Sequence, residues 1–136
     1  MDPLLIEVPE RIETVLAAFP SVRQAAAVVG EIIGAGVVPA ALEMMDRIVI
    51  EACERFMALG LPVGAEALLL CEVDGGAEEA AEDLARVRAL LEEGGATEIR
   101  VASDAAERER LWKSRKGAFA ALATILPDYY TIDGSI

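Results

Sequence analysis

Short apolar runs closed by turn residues alternate along this chain with segments whose apolar residues recur every three or four positions. The runs predict strands and the recurrences predict helices. Glu13 to Phe19 (ETVLAAF) is an apolar run that stops at Pro20, a first strand. Ser21 is placed to cap a helix from Val22 to Ile33, in which Val22, Ala25, Ala26, Val29, Ile32 and Ile33 keep helical spacing. Gly34-Ala35-Gly36 stops it. Val37 to Glu43 reads as a second short strand, with Pro39 marking a sheet edge or a strand start. Asp46 caps a second helix to about Leu59, closed by Gly60 and Pro62. Glu66 to Val73 (EALLLCEV) is the clearest strand, ended by Asp74-Gly75-Gly76. Ala77 to Glu93 is the clearest helix, with Leu84, Val87, Leu90 and Leu91 on one side and Gly94-Gly95 beyond it. Ala96 to Ala102 (ATEIRVA) predicts a fourth strand, and Ser103 or Asp104 caps a last helix to about Thr124.

Strict alternation of strand and helix admits two architectures. One is a doubly wound parallel sheet, which the alternation favours. The other is α+β, a ferredoxin-like antiparallel sheet with helices packed on one face. Pro39, and the lack of a phosphate-cradling glycine pattern after any strand, favour the second. No low-complexity tract or clean internal repeat is present.

Composition narrows the chemistry. The 136 residues are 54% hydrophobic and 26% charged, enough for one domain with its own core, or for a piece of a larger one. The net charge is −12, which argues against nucleic acid as a partner, because phosphate neutralisation drives that affinity. There is no histidine, so imidazole shuttles, histidine triads and Cys/His zinc sites are excluded within this chain. Two cysteines, Cys53 and Cys71, do not make a disulfide scaffold; both fall in apolar elements and read as buried, inert thiols. Met1 to Glu10 lacks the basic and apolar regions of a secretory signal. The apolar stretch Ala25 to Leu42 is broken by Gly30, Glu31, Gly34, Gly36 and Pro39 and does not read as a membrane span. A reduced, cytoplasmic setting is expected.

Most charged residues read as solvated faces. Glu78, Glu79, Glu82 and Asp83 lie at a helix start, where negative charge complements the dipole. Gly75-Gly76 and Gly94-Gly95 lack the spacing of nucleotide loops and read as turns and helix stops; Asp74 lacks the partners of a calcium loop. One region differs. Arg108, Arg110, Lys113, Arg115 and Lys116 gather around the only tryptophan, Trp112. On a helical wheel Trp112 lies near 0°, Phe119 near about −20°, Leu122 near about −80° and Leu111 near about −100°. Arg115 falls at about −60°, inside this apolar sector, while Arg110 and Lys113 fall on the water side. A guanidinium among apolar side chains needs an anion. Arg115 is therefore either paired with an internal Asp or Glu, or set to receive an acid ligand or another domain.

The same residues carry a family resemblance. LWKSRKGAF (Leu111 to Phe119) and PDYYTIDGSI (Pro127 to Ile136) resemble the carboxy-terminal domain of FAD-linked oxidases. Upstream, PAALEMMD (Pro39 to Asp46) and ALLLCEVDG (Ala67 to Gly75) match that domain in order and spacing. The likeness runs from about Glu13 onward and lies with the D subunit of glycolate oxidase and with D-lactate and D-2-hydroxyglutarate dehydrogenases.

The resemblance implies an FAD-dependent oxidoreductase that converts a 2-hydroxy acid, such as glycolate or D-lactate, to the 2-oxo acid by hydride transfer to flavin. It implies a preceding FAD-binding domain and a following histidine-bearing end with base and metal ligands, so residues 1–136 read as part of a cap or substrate domain, a fragment inactive alone and without tightly bound FAD or metal. It makes Arg115 the grip on the substrate carboxylate, with Trp112 and Phe119 shaping the wall. Where a relative places a lysine against its substrate, this chain has Thr131, which points to a small substrate. The antiparallel α+β architecture is preferred on this basis. Implied partners are the FAD-binding domain, other oxidase subunits and a second copy through exposed surface. The alternative from another class is a stand-alone ferredoxin-like module for interaction or oligomerisation.

Overall fold

The two most continuously apolar runs become the centre of the sheet. The structure, a computed structural model, describes residues 11–58, 60–102 and 104–112, with nothing said of the side chains at 56 and 57. Its elements are β1 (Arg11–Phe19), α1 (Val22–Gly34), β2 (Ala41–Asp46), α2 (Arg47–Met57), β3 (Ala67–Gly75), α3 (Ala77–Glu93) and β4 (Glu98–Val101). Residues 105–112 are also helical. The strands form one sheet in the order β2-β3-β1-β4, and every neighbouring pair is antiparallel. This is the expected α+β arrangement. The β1-α1-β2 and β3-α3-β4 crossovers interlock, each stepping over one strand of the other, as in ferredoxin-like folds.

Register sorts the side chains into two cores. Val15 pairs with Cys71, Ala17 with Leu69 and Phe19 with Ala67. This face packs on Ala25, Val28 and Ile32 of α1 and on Val87 and Leu91 of α3. The alternate residues Leu16, Ala18, Leu68 and Leu70 point the other way, against Ile50 and Cys53 of α2 and Leu111. The sequence predicts helices on one face of the sheet; α1 and α3 do share a face, but α2 with residues 105–112 covers the second, because the alternate residues of β1 and β3 are apolar as well. Each fully buried Leu, Ile or Phe contributes about 1.5–3 kcal/mol by leaving water. Covering both faces explains why the two central strands carry unbroken apolar runs.

Local signals set the element ends. The Ser21 hydroxyl accepts from the Gln24 amide at 3.1 Å, and Asp46 Oδ1 accepts from the Val49 amide at 3.1 Å. β2 begins later than Val37: the proline at position 39 has no N–H to give, and the first bond to β3 comes from the Ala40 amide to the Glu72 carbonyl at 2.8 Å. β2 then runs on to Asp46, which ends the strand and caps α2 together. β4 is the short edge, closing at Val101. Gly94 is needed where α3 meets α1, because a Cβ there would stand 2.0 Å from Val28 Cγ2. No helix among the described residues is long and apolar enough to cross a membrane.

Candidate functional site

The chain leaves β4 over its first strand. The Ala102 amide donates to the Thr14 carbonyl at 2.9 Å. Asp104 then caps the next helical segment, its Oδ1 accepting from the Glu107 amide at 2.8 Å. That segment returns across the second face of the sheet. Leu111 is driven into the core there, 4% exposed, and packs in the cluster that holds Leu16 and Leu70.

Trp112 follows at the margin of the same cluster. Its indole Nε1–H donates to Glu72 Oε2 at 2.7 Å, and the Thr14 hydroxyl donates to the same oxygen at 3.3 Å. Thr14 and Glu72 are direct cross-strand partners on β1 and β3, and Thr14 is completely buried. On the other side of Glu72, β2 places only Ala41. The result is a half-buried carboxylate between a buried hydroxyl and an indole that crosses from another element. A bond to an ionised acceptor is about twice as strong as a neutral one, so this pair can fix the ring's orientation. Among the described residues no buried side-chain nitrogen or oxygen lacks a partner.

Of the residues that the sequence singled out, Trp112 is brought to this place. Arg115, Phe119 and Thr131 lie outside the described residues, as do Lys113 and Lys116. Of the other bases in the cluster, Arg110 is exposed and Arg108 half-buried. Glu72 and Thr14 were not picked out from the sequence as site residues, although the signal was present. Within ALLLCEV, strand alternation puts Glu72 on the same face as Leu68 and Leu70, and Thr14 likewise follows Leu16 and Ala18. A polar residue on an inward-facing position needs a partner.

The remaining candidates have structural explanations. Both cysteines are buried and neither is in a disulfide. Burial, reinforced by the neighbouring Glu72 charge, pushes the Cys71 thiol up to about 12, and burial raises Cys53 as well. Among the described residues, no three acidic or sulfur ligands gather to hold a metal ion. The turn at Gly75-Gly76 opens α3, but Glu78, Glu79 and Glu82 surround it. Those carboxylates would repel a pyrophosphate at this turn, so the turn does not fit the diphosphate of FAD.

Residues 8–136 match the family described as FAD linked oxidases, C-terminal domain. The chain is 48% identical over 132 residues to glycolate oxidase subunit GlcD of Escherichia coli strain K12, covering 97% of this chain and 26% of that protein. It is 33% identical to the GlcD subunit of Bacillus subtilis, over 97% of this chain and 28% of that protein. It is 32% identical to a probable mitochondrial D-lactate dehydrogenase of Danio rerio, over 90% of this chain and 24% of that protein. A solved structure of alkyldihydroxyacetonephosphate synthase superposes with a TM-score of 0.63 at 14% identity, covering 90% of this chain and 25% of that one, which speaks for a shared fold. The chain thus spans about a quarter of the length of the relatives it matches. With strand order, late motifs and overall likeness in agreement, the chain belongs to the C-terminal domain family of the FAD-linked oxidases.

Proposed function

We propose that this chain is the substrate-binding part of an FAD-dependent 2-hydroxy-acid oxidase or dehydrogenase of the glycolate oxidase kind. In this reading residues 1–136 form part of the cap domain, FAD and the histidines belong to other parts of the enzyme, and the chain alone turns nothing over. The substrate is a short 2-hydroxy acid, glycolate or D-lactate. Arg115 takes the substrate carboxylate in a bidentate fork, and Trp112 and Phe119 bound the space beside it. Thr131 stands where a larger acid would need a second cation. The two buried, uncrosslinked thiols suit a reducing cytoplasm.

The observation that carries this reading is the tie between Trp112 and Glu72. It anchors the beginning of LWKSRKGAF to the sheet, in the motif to which the family resemblance assigns carboxylate binding. The test is kinetic. In the complete enzyme, Arg115→Lys should raise KM for glycolate or D-lactate at least about tenfold, because hydrogen bonds to charged groups are worth ~1.5–3 kcal/mol and a point charge cannot replace the fork. An unchanged kcat/KM would sink the assignment.

A further inference from the structure

We infer that Glu72 is a positioning residue for substrate binding, acting through Trp112 and supported by Thr14. The inference rests on the substrate-binding reading above and names a device within that same site. Glu72 cannot be explained as a solvated acid. It sits on the sheet face that packs Leu68 and Leu70, and its Oε2 accepts from both the Trp112 indole at 2.7 Å and the Thr14 hydroxyl at 3.3 Å. Thr14 is wholly buried, and no cation is bonded to Glu72 among the described contacts. One carboxylate oxygen thus receives two donors, one from β1 and one from the helical segment after β4.

An indole has only one N–H, so this bond fixes the rotation of the ring about its attachment. Leu111 secures the backbone just before Trp112 by burial, and Glu72 secures the ring itself. Together they hold the backbone and the ring at Trp112, three positions before Arg115 in the sequence. A small misplacement of a binding group is costly, because the fork must meet both carboxylate oxygens at once. Glu72 accordingly acts on affinity for the ground state and the transition state alike, which raises KM when lost and leaves kcat nearly unchanged.

Two readouts test this. Trp112 is the only tryptophan, so the emission of the 136-residue chain reports on this one site. Glu72→Ala should shift that emission to the red. In the complete enzyme it should raise KM for glycolate or D-lactate about tenfold, the equivalent of one well-placed hydrogen bond. Glu72→Gln keeps an oxygen acceptor and should restore most of both effects. Trp112→Phe, which keeps an aromatic body and removes the donor, should raise KM to a similar degree, and adding Glu72→Ala to it should change little more. Unmoved emission in Glu72→Ala, or a Gln variant as poor as the Ala variant, would overturn the inference. If Glu72→Ala does not fold, the KM of Trp112→Phe decides: a parental value refutes the role. A KM raised by Arg115→Lys but by neither Glu72→Ala nor Trp112→Phe refutes the positioning role alone, whereas an unchanged KM in Arg115→Lys refutes the substrate-binding reading beneath it.

Discussion

Cys71 lies in the middle of β3, 1% exposed, with Val15 across from it on β1 and Leu42 on β2. Burial is the main reason its thiol is pushed up to about 12 from an ordinary value of 9.0, with the Glu72 charge adding to it. The folded chain therefore holds a proton that the unfolded chain releases at lower pH. Stability from this group is complete below pH 9.0 and is lost progressively as pH climbs toward about 12. The slope from one thiol is at most about 1.4 kcal/mol per pH unit. Thermal melting should fall steadily above pH 9.0, and Cys71→Ala should flatten that fall, leaving the part due to Cys53, whose shift has the same sign. A melt that is no less steep with pH in the variant would contradict this account. At this scale the thiols' inertness was readable from their apolar settings. The partnership of Glu72 with Trp112 was not, because alternation says which face a residue takes and never which distant side chain crosses to meet it. The five bases near Trp112 drew the eye by charge, while the decisive acid lay far away in sequence, on β3.

Among the elements, β1, β3, α1 and α3 were legible in type and nearly in extent, since their apolar runs and caps agree with one another. β2 was misplaced by several residues, because Val37 is buried and apolar without belonging to the ladder. Burial in a loop and burial in a strand leave the same mark in sequence. The parallel alternative stayed open for a related reason. β1 and β3 are covered on both faces, so they lack the polar alternation by which an antiparallel strand is usually recognised. Gly94 illustrates an element-level constraint that the sequence announced only as a helix stop. Its φ of −78° suits any residue, so the demand for glycine comes from contact with Val28, which is itself 1% exposed. Gly94→Ala should destabilise the chain by about 1–3 kcal/mol through overpacking, and Val28→Ala in the same background should recover part of that loss. Chemical denaturation of the two variants checks it. Equal stability of Gly94→Ala and the parent would show that α1 and α3 can slide apart freely.

For the molecule as a whole, the acid excess and the folded core point to different tasks. The core makes a rigid platform, and the surface, at a net charge of −12, repels phosphate-rich ligands. The glycine turn that leads into α3 is ringed by acids for the same result. Titration of the 136-residue chain with FAD should leave flavin absorbance and fluorescence as in free solution, and a stoichiometric yellow complex would contradict this expectation. Family membership was readable from motifs spread over the length of the chain, and the family match over residues 8–136 agrees with it.

The strand order has one more consequence, for biosynthesis. Within this sheet β1 is synthesised before the other three strands, yet its two neighbours are β3 and β4. Its backbone groups from Val15 to Ala18 must wait for residues 98–101 before one side of the ladder can close. The sheet therefore cannot be completed strand by strand in order of synthesis, and during translation this largely apolar strand stays in need of shielding until β4 has emerged.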